Sequence, residues 1–405
     1  MSVLNPKFNI IESYKDIEYR EFDAYEQPTT GLALLMREFT HTNDIWYCMI
    51  TLHKSLRDKS FIELMGEETY RKVISKSAYL VIDLPFEPFY DCIDAIYEVL
   101  IENNNIPPSQ IILMSNMYDA YAYNLETAKK HNSDPINIFY FSALEYMLSQ
   151  YMNSHHPKGY ANKFYPKKLV KDKVYPKSFL CLNRRWRPHR PLFILLLWFY
   201  KLLDKGYVSF GPSGDNSKDN WDYIYDGLKC ATWSNAELFK IIDENEQNIK
   251  HIPFMYLDIE DLHMNQADVT TSADVYYENS YFSVIPETTF YYKENSINSR
   301  FITEKTYKAI AMKHPFVLLT IPKSLELLKH LGYKTFSPYI DESYDQELDD
   351  NKRLLMIIKE VDRLANLNKE QLENFIENVL PICEHNYNLL RNKTKFIYRN
   401  YLDVL

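Results

Sequence analysis

The sequence predicts an α/β protein built from two domains that face one another and are closed by C-terminal helices. Three observations predict it: the length, a strand-then-helix alternation in each half, and a basic, proline-bearing break between the halves. A chain of 405 residues exceeds what one hydrophobic core usually organises, which argues for two domains of ordinary size. Apolar residues make up 46% and charged residues 25%, the balance of a folded globular protein.

In the first half, "IWYCMI" (45–50), "AYLVIDL" (78–84), "QIILMSN" (110–116) and "INIFYFS" (136–142) are short apolar runs of strand length. Between them "YDCIDAIYEVLIENNN" places Ile93, Ile96, Tyr97 and Leu100 at helical spacing, and "ALEYMLSQYM" reads as a further helix. Strands alternating with helices imply parallel sheets covered by helices. From His155 to Arg190 the periodicity stops, and seven Lys and four Arg stand against one Asp. The alternation then resumes: strand "SFLCLN", helix 189–204, strands "YVSFG", "FMYLD" and "YFSVIPE", helix 304–313, strand "PFVLL" and helix 323–331. The last segment, "ENFIENVLPICEHNYNLLRNKTKFIYRNYL", predicts one or two closing helices. The expected boundaries are 1–175 and 176–385 for two Rossmann-like domains, with a C-terminal helix over 386–405.

Composition excludes several classes. A net charge of -9 opposes generic affinity for nucleic acid. Cys48, Cys92, Cys181, Cys230 and Cys383 include no CxxC pair, so neither a zinc site nor a disulfide framework is expected, and a reducing cytoplasm is. "MSVLNPKFNI" has neither the basic nor the apolar part of a secretion signal. The run "PLFILLLWFY" is about half the length a membrane span needs and predicts a buried helix. The abundance of Tyr, Asn, Ile and Lys is the bias of an AT-rich genome, such as a virus or phage carries, which would make the host cytoplasm the setting.

With only 8 glycines, the chain contains no GxxxxGK[ST] and no GxGxxG fingerprint. Phosphate recognition therefore falls to the loop "SFGPSGDN", including Ser213, to helix N-termini, or to basic side chains. Thr303-Glu304-Lys305 has the form of a helix start: Thr303 as cap, with Glu304 and Lys305 in the first turn. Free N–H groups there attract anions. Lys305 adds a point charge for a diphosphate, and Glu304 can accept from two ribose hydroxyls. Arg184, Arg185, Arg187 and Arg190 open the helix that follows "SFLCLN". Asp258-Ile259-Glu260-Asp261 closes an apolar run, and strand ends carry acids often enough that a solvated pair is the expectation over a metal site. The histidines have no paired ligand spacing. Trp198, Phe199 and Tyr200 are expected in a core, and "DESYDQELDDNK" (341–352) as a solvated acidic loop.

Two blocks together resemble the fucosyltransferase-like, exostosin-related glycosyltransferases. The first is "SYFSVIPETTF" followed by "FITEKTYKAIAMKHPFVLL"; the second is "SFLCLNRRWRPHRPLFILLLWFYKLLDKGYVSFGP". Thr303, Glu304, Lys305 and Pro315 agree with that family's pattern. Thr288, where the family has Asn, Phe301, where it has Tyr, and His314, near its usual Gly, depart from it. The resemblance covers roughly 178–320 and implies a GT-B type fold. It places a nucleotide-sugar co-substrate on the second domain, held by Arg187, Arg190, Ser213, Glu287, Phe301, Thr303, Glu304 and Lys305. It also implies an inverting transfer without a metal or other cofactor, with acceptor and base on the first domain. The base candidates at strand ends are Glu87, Asp83 and Asp119, with Glu87, between two prolines, preferred. A glycan acceptor is favoured over DNA. A DNA-base glycosyltransferase of a virus or phage, or a non-catalytic binding protein of the same fold, are the alternatives.

Overall fold

The computed structural model describes residues 46–50, 67–84, 92–153, 169–170, 173–183, 187–210, 228, 235–249, 252, 255, 257, 274–292 and 300–404. The chain divides into two compact units: residues 1–146 with 295–301 and 395–405, and residues 147–294 with 302–394. Each unit holds one four-stranded sheet.

The first sheet has strands β1 (Trp46–Ile50), β2 (Ala78–Leu84), β3 (Ile111–Ser115) and β4 (Asn137–Tyr140) in the order β1-β2-β3-β4, all parallel. Helices intervene: α1 (Glu67–Ile74), α2 (Cys92–Ala95, continued by a wider turn over Ile96–Glu102) and α3 (Ala120–Lys130); α4 (Ala143–Asn153) follows β4 and passes into the second unit at Met147. The buried residues Leu80, Ile82, Ile111 and Leu113 of the sheet pack with Ile93, Ile96 and Leu100 of α2 in one core. A polar knot crosses it. Tyr97 donates to Asn124 Oδ1 at 2.8 Å and accepts from the Ile136 N–H at 3.2 Å, while Asn124 donates to the Ile136 carbonyl at 2.8 Å. Every polar atom in the knot is answered, so its burial costs little.

The second sheet runs β6-β5-β7-β8, again all parallel, from β5 (Lys177–Asn183), β6 (Gly206–Phe210), β7 (Ser280–Pro286) and β8 (Phe316–Leu319). β7 is buried along its whole length, as expected of a parallel strand covered on both faces. The unit's longer helices are α5 (His189–Phe199), α6 (Ala236–Glu244), α7 (Glu304–Ala311), α8 (Ser324–His330), α9 (Asp350–Ala365) and α10 (Lys369–Val404, with Pro381 inside it and its end from residue 395 in the first unit). The chain passes from β5 outward to β6, then returns to lay β7 against the other side of β5. The strand order therefore reverses between β5 and β7, and crevices at such points, beyond the strands' carboxyl ends, are where α/β sheets bind ligands.

Two expectations are corrected. Helix α5 stops at Phe199, because Lys201 turns left-handed (φ 56°) and the Leu202 N–H closes back on the Leu197 carbonyl at 2.7 Å. Its end is not core: Phe199 is 41% exposed. Most of the expected strand "FMYLD" lies outside the described residues; of its described residues, Met255 makes an antiparallel bridge to Phe210. The acidic stretch 341–352 is not simply solvated. Asp345 is buried and accepts from the N–H groups of Leu325 (3.0 Å) and Glu326 (3.3 Å), so it caps the first turn of α8.

Candidate functional site

The site is assembled around Glu287, the residue after β7. Its carboxylate has no exposed surface. One oxygen accepts from the Thr303 N–H at 3.1 Å and the Thr306 hydroxyl at 2.5 Å; the other accepts from the Thr303 hydroxyl at 2.5 Å. Thr303 is extended (φ -99°, ψ 179°), and its oxygen accepts from the Lys305 N–H at 3.3 Å, the capping geometry that starts α7. Thr306 stands one turn further along the same face, which brings both hydroxyls to one carboxylate.

With the cap fixed, the first turn of α7 presents Glu304 and Lys305, whose side chains are 36% and 28% exposed and pair at 3.0 Å. Lys305 Nζ also donates to Thr303 Oγ1 at 3.2 Å. Burial pushes the Glu304 carboxyl up, but the charge and hydrogen bond of Lys305, with help from Thr303, outweigh it and hold the group below its ordinary value. At neutral pH Glu304 is therefore a carboxylate, paired with Lys305.

The backbone of Glu287 is held from the other side by α5. His189 Nε2 donates to its carbonyl at 3.1 Å, and Arg190 donates to the carbonyls of Pro286 (3.0 Å) and Glu287 (3.4 Å). Burial, opposed by the Glu287 charge, brings the Arg190 guanidinium down to about 10, so it stays cationic at pH 7. Burial and the neighbouring Arg190 keep His189 neutral, and its ring stacks on Phe290 with centroids 5.2 Å apart. Beside them Asn183 ends β5, and its N–H donates to the Ser209 hydroxyl oxygen at 3.0 Å, tying β5 to β6.

The structure thus brings Glu287, Thr303, Glu304, Lys305 and Arg190 to one edge of the second sheet. Arg190 and Glu287 lie beneath it, fully or almost fully buried, and Arg187 is exposed just ahead of α5. Phe301 is buried and belongs to the first unit. Asp83 lies near the end of β2, in register with Met114. Glu87, Ser213, Arg184, Arg185 and Asp258 to Asp261, and the side chain of Asp83, lie outside the described residues. Asp119, the third candidate for the base, has its carboxylate engaged by Arg300, at 3.0 and 3.1 Å from Nε. His189 and Thr306 were not anticipated. Thr306 had a local signal, three residues after the cap; His189 had none. Among the described residues no cluster of His, Cys, Asp or Glu could hold a metal, and no helix is long and apolar enough to cross a membrane.

No protein-family model matches the chain, and comparison with curated proteins gives no match. Two solved structures are similar over 91% of it. A trehalose-6-phosphate synthase (OtsA) shares 12% identity at a TM-score of 0.40, with 74% of that chain covered. The N-terminal domain of Candida albicans trehalose-6-phosphate phosphatase shares 10% at 0.41, with 72% covered. The fold itself rests on the strand order and register given above.

Proposed function

We propose that the protein is a glycosyltransferase that uses a nucleotide sugar and binds it at the start of α7. The observation that carries the reading is the Glu287-braced cap, which holds a carboxylate and an ammonium side by side at a helix N-terminus next to the sheet's switch point. Lys305 and the helix N–H groups take the diphosphate, Glu304 the ribose hydroxyls, and Arg190 and Arg187 add positive charge behind and beside it. With the diphosphate so neutralised, leaving-group departure needs no divalent metal. Transfer inverts the anomeric centre, Glu87 or Asp83 removing the acceptor proton as its oxygen attacks.

The test is a thermal-shift panel with UDP, GDP, ADP and dTDP, since a ligand of the native state raises the melting temperature. At least one should stabilise the wild type. Glu304→Ala should lose that response while keeping its own melting temperature within a few degrees, because the side chain is partly exposed and its loss leaves the Glu287 brace intact. No response from the wild type would remove the reading, and activity abolished by EDTA would remove its metal-free form.

The acceptor is a glycan in this reading. Neutralising Lys158, Lys163, Lys167, Lys168, Lys171 and Lys173 should leave transfer nearly unchanged. Salt-sensitive binding of duplex DNA that those substitutions abolish would assign a DNA acceptor instead.

A further inference from the structure

Arg300 is held more tightly than a solvent-facing arginine requires. Its Nε donates to both oxygens of Asp119, its terminal nitrogen donates to Oδ1, and its backbone N–H donates to Oδ2 at 3.0 Å. The Tyr118 N–H donates to the Arg300 carbonyl at 3.3 Å, and the guanidinium lies over the Tyr118 ring at 4.7 Å. Side chain, N–H and carbonyl of one residue are thus all secured by two consecutive residues that follow β3. A bidentate, half-buried pair of this kind has fixed geometry, unlike a solvated one.

The position of this anchor in the chain gives it meaning. Residues 295–301 belong to the first unit, and the chain enters the second at Ile302. One residue further on, Thr303 caps α7. Phe301, Ile302 and Thr303 are each about 2% exposed, so the three residues that follow the anchor and lead into the cap are buried. We infer that Asp119 is a positioning residue for the nucleotide-sugar site: by gripping Arg300 it fixes the main chain that enters α7 and keeps the Thr303 cap and the Glu304–Lys305 turn ready for the diphosphate. The role rests on the functional reading above. Preorganisation of this kind lowers the ordering cost of binding without adding a contact.

The experiment uses the full chain with Asp119→Ala, Asp119→Asn and, as control, Tyr97→Phe, which loosens the core of the first unit without touching the anchor. Amide exchange over residues 300–307 and affinity for the nucleotide diphosphate that stabilises the wild type are measured on each. Asp119→Ala should speed exchange through Thr303 to Lys305 and weaken the diphosphate roughly tenfold, with kcat at saturating donor unchanged. Asp119→Asn, which still accepts from the Arg300 N–H, should lie between Asp119→Ala and wild type. Faster exchange confined to Arg300, with 303–305 unchanged, would overturn the inference, as would equal weakening by Tyr97→Phe. Should the wild type bind none of the diphosphates, the functional reading fails while the exchange comparison still decides whether the anchor governs α7.

Discussion

Glu287 is where the candidate site is most exposed to a single change. Its carboxylate answers one N–H and two hydroxyls in a fully buried position, and its carbonyl answers His189 and Arg190. Glu287→Ala would strand three donors and remove the largest negative charge contribution acting on Arg190. A loss of about 3–5 kcal/mol in urea unfolding is expected, together with loss of any diphosphate response. Glu287→Gln restores the size and one acceptor but turns an amide toward hydroxyls, so it should recover part of the stability only.

Two other buried groups set the acid behaviour with opposite signs. His314, between the Ser283 hydroxyl and the Ser280 carbonyl, is brought down to about 4 by burial. The unfolded chain takes up its proton first as pH falls from about 6.5, so stability drops toward pH 4 by on the order of 3 kcal/mol from this residue. Asp345 is pushed up to about 6 by burial; it binds its proton in the folded state first and returns a similar amount over the same window. Asp345→Asn should therefore unfold more steeply on acidification than the wild type; an unchanged slope between pH 6.5 and 4 would refute the assignment. The helix start at Thr303 was legible because a cap is written in adjacent residues. The carboxylate that braces it lies 16 residues earlier, and Asp345 caps a helix 20 residues back. No local pattern encodes either.

At the scale of elements, the parallel strands were the most legible part of the chain. A strand buried on both faces is a continuous apolar run, and "AYLVIDL" is reproduced to the residue as β2. Helix ends were less so. The apolar run of α5 continues visibly toward residue 204, while the left-handed turn at Lys201 that stops it lies at a residue with no marked preference for that conformation. Gly206, by contrast, has a reason to be glycine. It opens β6 in register with Phe179, and a Cβ there would collide with the Phe179 ring, which is wholly buried. Gly206→Ala should cost about 1–3 kcal/mol in chemical denaturation, the range for forced repacking of a full core; a neutral result would mean the ring can turn aside.

On the scale of the whole molecule, two separate parallel sheets agree with the alternation of strand and helix in the two halves. The reversal of strand order between β5 and β7 was not legible, since composition says which segments are strands and not which neighbour each one takes. Yet that reversal puts the exits of β5 and β7 at the switch point, and so gives the "ITEKT" stretch its place. The partition into units has a further consequence. The first unit draws on residues 1–146, 295–301 and 395–405, so it is not a contiguous piece of chain. Removing residues 395–405 should lower the protection of the first sheet more than that of the second, which amide exchange can resolve by segment. During synthesis the order of completion is the reverse of the order of appearance. Residues 395–405 are made after every part of the second unit, so the first unit gains its final segment only once the second has all it needs to close around its own sheet.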